Sequence, residues 1–144
     1  MNQTKTIRIS NEEIAEDLTQ YIKHAHLSMS MRGWEPQRTM EVRIEASIGR
    51  CLEAVLTQQT GTDCFIPSQN IHDTLDTYNL FCDSLDDYAD DQIKFDEIPN
   101  IVHDAFKGHE GIEVTVAPSK SQGDGWWDIK KAKFVSSDLF GFGM

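Results

Sequence analysis

The feature that most constrains this chain is the stretch Thr39–Gln59 (TMEVRIEASIGRCLEAVLTQQ). In it Met40, Ile44, Ile48, Cys51, Leu52, Val55 and Leu56 recur at spacings of three and four. That period places all seven on one stripe of an α-helix and turns Glu41, Arg43, Glu45, Arg50 and Glu53 to water. At 1.5 Å per residue such a helix is about 30 Å long, the width of a small domain. An apolar stripe of that length needs other apolar surfaces against it. The helix is therefore expected at the centre of the fold, with Ile44, Ile48, Leu52 and Val55 nearly fully buried.

The flanking segments can supply those surfaces. Lys5–Ile9 alternates, with Ile7 and Ile9 on one face and Thr6 and Arg8 on the other, which predicts a short strand. Ser10 then opens S-x-x-E with Glu13, the pattern in which hydroxyl and carboxylate satisfy free amides at a helix start. The helix runs through Ile14, Leu18, Tyr21, Ile22 and Ala25 and is expected to stop near Ser28–Ser30. Glu12, Glu13, Glu16 and Asp17 crowd its first two turns, where the helix dipole favours anions, so they need no catalytic role. His24–Arg38, with Gly33, Trp34 and Pro36, then reads as a long connection.

Beyond the central helix, Thr60–Pro67 is a loop, and Ser68 caps a third helix with Ile71, Leu75, Tyr78, Cys82 and Leu85 at helical spacing. Pro99 opens a fourth, shorter helix with Ile101, Val102, Ala105 and Phe106 inward, and Gly108 is its expected stop. From Gly111 the period becomes two. Ile112, Val114 and Val116 alternate with Glu113 and Thr115. After the turn-rich Pro118–Gly125, the segment Trp126–Val135 alternates again, with Trp127, Ile129 and Val135 on one face and Trp126, Lys130 and Phe134 on the other. The fold class is α+β, with about four helices around residues 39–59 and a small antiparallel sheet built on the C-terminal hairpin, which Lys5–Ile9 is placed to join. A length of 144 residues, 39% hydrophobic and 26% charged, fits a single domain over 1–144. The tail SSDLFGFGM, with Leu139, Phe140 and Phe142, is expected to dock on the body or on a partner.

Strand, capped helix and central helix together resemble the ribbon-helix-helix family of DNA-binding dimers over about the first 58 residues. In that family the outward residues of the strand read the major groove, and here they would be Thr4, Thr6 and Arg8. The family joins its helices by a very short turn and is basic. This segment has a long connection and is not basic.

Charge supplies the one functional signal. The chain carries a net −11, and residues 61–144 hold six basic against 16 acidic residues, so nearly all of the excess lies there. Such a field opposes direct binding to nucleic acid and attracts basic proteins, including those that hold nucleic acid. It peaks in Asp83–Glu97 (DSLDDYADDQIKFDE), seven carboxylates against one lysine. Leu85, Tyr88, Ile93 and Phe95 are interleaved with them, so the segment can pack and need not be a disordered tail. Asp83, Asp86, Asp87, Tyr88, Asp90, Asp91, Phe95, Asp96 and Glu97 are therefore the candidate partner-binding residues.

Other chemistry has less support. His72 and Asp76 lie one helical turn apart, with Asp73 next to His72, a workable cation geometry. With His103-Asp104 and His24 or His26 they are similar to metal-dependent phosphohydrolases of the HD type, although order and spacing depart from that family. Cys51, Cys64 and Cys82 show no CxxC pairing and read as free thiols in a reducing compartment. GDGWW (Gly123–Trp127) resembles the tryptophan pair of SH3 domains without the strands such a barrel needs. No glycine cluster forms a phosphate loop, and no cofactor or metal is expected. MNQTKTIRIS lacks a signal-peptide core and no apolar run approaches the ~20 residues of a membrane span. The expectation is a cytoplasmic, non-enzymatic binding module. Its most specific form is an inhibitor that occupies the basic, nucleic-acid-binding surface of another protein, as phage anti-defence, anti-restriction or toxin-immunity proteins do. The alternatives are the His72/Asp73/Asp76 phosphohydrolase and the ribbon-helix-helix regulator.

Overall fold

The computed structural model describes residues 4–25, 34–67, 74, 95–106, 109–121 and 123–135. The elements among them are β1 (Lys5–Ser10), α1 (Asn11–Ala25), α2 (Trp34–Thr60), a single 3-10 turn (Phe95–Glu97), α3 (Ile98–Ala105), β2 (Gly111–Pro118) and β3 (Trp127–Val135). The fold is mixed α/β, and the three strands form one antiparallel sheet in the order β1-β2-β3. Of the helix expected from Ser68, Thr74 alone is described, in helical conformation, and the rest of that helix and the C-terminal tail lie outside the described residues.

The turn from β1 into α1 is local chemistry. The Ser10 amide donates to Glu13 Oε2 at 2.8 Å, and the Glu13 amide donates to Ser10 Oγ at 3.2 Å. Two free amides are thus satisfied reciprocally, as the S-x-x-E pattern predicts. Helix α3 likewise starts with Pro99 in its first turn, where a missing N–H leaves no helical bond unmade.

Helix α2 begins at Trp34, five residues before the expected start, and takes up part of the expected connection. Pro36 does not oppose this, because the first four helical amides have no partner within the helix anyway. Ile44, Ile48, Leu52 and Leu56 have no exposed surface. Val55 does not follow them and is only partly buried against the core. Glu45, expected in water, retains 7% exposure, and Ser47 beside it none. Helix α2 is thus covered over more of its circumference than its apolar stripe spans. Burial also lowers the Arg43 pKa below its ordinary value.

One core joins the helices to a single face of the sheet: Ile14, Leu18 and Ile22 of α1, the α2 stripe, Ile98, Ile101, Val102, Ala105 and Phe106 from the α3 segment, and Ile7, Ile9, Ile112, Val114 and Val116 from the strands. Register explains the strand set, since Ile7 faces Val114 and Ile9 faces Ile112. Between β2 and β3, Val116 pairs with Ile129 whereas Thr115 pairs with Lys131. Lys130 is therefore an extra residue, a β-bulge, and the alternation of β3 changes phase there. This corrects the expected faces. Trp127 and Ile129 point to the core, but beyond the bulge Ala132 and Phe134 do so, and Val135 falls opposite Gly111 outside the core cluster.

The loop after α2 also does more than connect. The Phe65 amide donates to Gly125 O at 2.8 Å and its carbonyl accepts from the Trp127 amide at 2.9 Å. That is a parallel bridge one residue long, laid on the free edge of β3 beside Trp126. Gly125 has φ +86°, and a Cβ there would stand 2.9 Å from Asp63 O. The glycine is required both by the turn and by the close approach.

Candidate functional site

Of the nine candidate partner-binding residues, Phe95, Asp96 and Glu97 belong to the described residues. Asp83, Asp86, Asp87, Tyr88, Asp90 and Asp91 lie outside them, as do His72, Asp73 and Asp76. The three described residues form the 3-10 turn that leads into α3. Asp96 is exposed, Glu97 is half-buried, and Phe95 is exposed with the Lys23 ammonium 5.0 Å over its ring.

That contact fixes how α1 and α3 lie. Lys23, in the last turn of α1, meets the residues before α3, while Asn11 and Glu12, in its first turn, line a cleft with Pro99, Asn100 and His103. Glu12 and Glu16 are one turn apart on α1, and Asn100 and Asp104 are one turn apart on α3. Glu12, Glu16, Asp96, Asp104 and Glu110 are all exposed. Of these, Glu12 and Glu110 flank one cleft, and Asp96 stands in the turn before α3. Asp17 belongs to another side of α1, where its Oδ2 pairs with Arg50 Nη2 at 2.6 Å.

The cleft itself measures about 330 Å³ and is lined by Asn11, Glu12, Pro99, Asn100, His103 and Glu110. Asn11 holds the segment before β2 in place: its backbone amide donates to Glu110 O at 2.9 Å and its Nδ2 donates to His109 O at 2.5 Å. Its Oδ1 is buried and has no hydrogen-bond partner. An unmade buried acceptor costs about 1–3 kcal/mol. No sequence signal points to this cleft, because it exists only where the start of α1 meets α3 and residue 110.

The histidines of the phosphohydrolase reading do not converge among the described residues. His24 lies near the Phe95 end of the helix pair, with Nδ1 2.9 Å from Gln20 O, and His103 lies toward the other end. No group of three or more His, Cys, Asp or Glu among the described residues could hold a metal ion. The strand residues of the ribbon-helix-helix reading have partners within the chain. Thr6 Oγ1 lies 3.4 Å from Thr115 Oγ1, and Arg8 Nε donates to Glu113 Oε2 at 3.0 Å, with Lys133 Nζ 3.9 Å from the other carboxylate oxygen.

Neither described cysteine is placed as a nucleophile. Burial, and then the negative charges of Asp17 and Glu13, push the Cys51 pKa up to about 12, with Arg50 opposing them. A thiol in that state is inert near neutral pH. Cys64 is buried, with its sulfur 3.3 Å from Thr60 Oγ1. No helix among the described residues is long and apolar enough to cross a membrane. No protein-family model, curated protein or solved structure matches the chain.

Proposed function

We propose that this chain is an acidic, cytoplasmic protein-binding module, an inhibitor that occupies the basic surface with which another protein holds nucleic acid. Phage anti-defence, anti-restriction and toxin-immunity proteins work in this way. The observation that carries the reading is that Asp96, at the end of the most acidic segment, and Glu12, Glu16, Asp104 and Glu110 on or beside α1 and α3 are all exposed. Next to Asp96 in the chain, the Phe95 ring lies under the Lys23 ammonium. A surface of one sign speeds encounter with a surface of the other sign and excludes like-charged competitors. In the sequence Asp83, Asp86, Asp87, Asp90 and Asp91 precede Asp96, and on this reading they supply charge to the interface while Tyr88 and Phe95 supply apolar contact.

The test begins with a pull-down from the cell that makes the protein, followed by mass spectrometry. Association of the captured partner is then measured by surface plasmon resonance at two ionic strengths. Changing Asp83, Asp86, Asp87, Asp90 and Asp91 to Asn should slow association and flatten its salt dependence. Tyr88→Ala and Phe95→Ala should act mainly on dissociation. Unchanged association for the five-fold variant would make the acidic run an ordinary solvated surface and remove the basis of the proposal.

A further inference from the structure

We infer that the outer face of the sheet docks the acidic segment Asp83–Glu97 of a second copy of this chain. The three strands hold five basic residues against two acidic ones, a net +3 within a chain of −11. Register gathers most of that charge on the face turned away from the core. Arg8, Glu113 and Lys133 form one row across the sheet, and Thr6, Thr115 and Lys131 form the next. The bulge at Lys130 turns Lys131 and Lys133 outward, and Lys130 itself is exposed. Glu113 lies between Arg8 Nε at 3.0 Å and Lys133 Nζ at 3.9 Å, so its charge is already met. Asp128, the other carboxylate of the strands, precedes the bulge and pairs with Ala117. Arg8 and Lys133 still keep 48% and 67% of their side chains exposed, and Lys131 is exposed beside them. Lys131, Lys133, Glu113 and Thr115 line a notch of about 60 Å³, room for one carboxylate.

The occupant follows from how charge is distributed. A cationic face of this kind takes carboxylates or phosphates. Nucleic acid is charged uniformly along its length, so phosphates beyond the sheet would face the acidic remainder of the chain. In a second copy the negative charge is concentrated. Asp83–Glu97 carries seven carboxylates against Lys94, whereas residues 1–60 are nearly neutral, with seven basic and eight acidic residues. Attraction between sheet and segment acts at contact, while repulsion between the rest of the two copies is screened beyond about 8 Å at physiological salt. Sheet and segment are different surfaces, so the contact is head to tail. It shares its acidic segment with the inhibitor reading but needs no foreign partner, so either can fail alone.

The test uses the purified full chain. Sedimentation velocity should show reversible self-association at low salt that disappears at about 1 M salt, where the screening length falls to about 3 Å. A synthetic peptide of residues 83–97, titrated into the isotope-labelled chain, should saturably shift the backbone amide resonances of Thr6, Thr115, Lys131 and Lys133. Its counterpart with every acid changed to the amide should not. K131Q/K133Q should keep the wild-type melting curve and weaken both self-association and peptide binding about fivefold, the loss expected of two exposed charge pairs. K131E/K133E and D86K/D87K chains should associate with each other more tightly than either does with itself. A wild-type chain that stays monomeric at low salt would overturn the inference, as would peptide shifts that K131Q/K133Q leaves unchanged. Single-stranded DNA shifting the same resonances at lower concentration than the peptide would overturn it too, and give the face to nucleic acid.

Discussion

The ring of Phe134 lies 5.0 Å, centroid to centroid, from that of Phe106, and it reaches the core only because Lys130 is an extra residue in β3. Without the bulge, the alternation begun by Trp127 and Ile129 would carry Lys131, Lys133 and Val135 to the core side. With it, Ala132 and Phe134 face Val114 and Ile112. His109 stacks on the same ring at 5.4 Å, so Phe134 also closes the core beneath the segment that Asn11 holds.

Deleting Lys130 should therefore be accepted. It removes the residue that opposes nothing on β2 and leaves Ile129 and Phe134 on the core side, so stability should change by no more than about 1 kcal/mol. Phe134→Ala, at a partly buried ring, should cost about 2–3 kcal/mol. Urea denaturation of both variants decides it. A deletion costlier than the ring truncation would mean that the bulge is itself required.

Helix α2 should show a gradient of sensitivity. Leu52→Ala, at a side chain with no exposed surface, should cost ~2–5 kcal/mol, and Val55→Ala about 1 kcal/mol. Val42, 47% exposed, should tolerate Ala within about 0.5 kcal/mol. Equal losses at Leu52 and Val42 in thermal melts would contradict the central placement of this helix.

Gly125 and Gly123 separate two effects of glycine. Both have positive φ, +86° and +97°, but only at Gly125 would a Cβ meet backbone, 2.9 Å from Asp63 O. Gly123→Ala should cost about 1–2 kcal/mol through conformation alone. Gly125→Ala should cost more and release the Phe65 bridge. Phe65 and Trp126 have ring centroids 5.3 Å apart, so tryptophan fluorescence should change for Gly125→Ala and not for Gly123→Ala.

Cys51 should make stability fall at alkaline pH. Burial raises its pKa from 9.0 to about 12, so between those values the unfolded thiol has ionised while the native one keeps its proton. The native state then binds more protons than the unfolded state, and stability declines as pH rises through that window. Cys51→Ala should show a shallower decline in urea midpoints between pH 8 and pH 10. Native protein should also react slowly with iodoacetamide at pH 8, and urea-unfolded protein quickly. An identical pH slope in wild type and variant would refute the assignment.

The elements that the sequence determined by itself are those set by near neighbours along the chain. The alternation of Ile7 and Ile9, the Ser10–Glu13 box, the Ile44–Leu56 stripe, Pro99 in a first turn and the alternation of Ile112 to Val116 each satisfy backbone groups or segregate apolar side chains within a few residues. Acidity was legible in the same way, and to it the structure adds only that Asp96 is exposed and Glu97 half-buried. Tertiary structure alone decided the features that join distant segments. The Lys130 bulge needs β2 beside β3 before any residue can be called extra. Glu45 is buried because α2 is packed on more than one side, which its own stripe does not encode. Phe65 became an edge position only through Gly125 and Trp127, some 60 residues away. The cleft at Asn11 exists because the start of α1 meets α3 and Glu110, and the unpaired Asn11 Oδ1 is a property of that junction. Local periodicity reports which face of an element avoids water, whereas the partner covering that face is chosen by packing among segments that carry no record of one another.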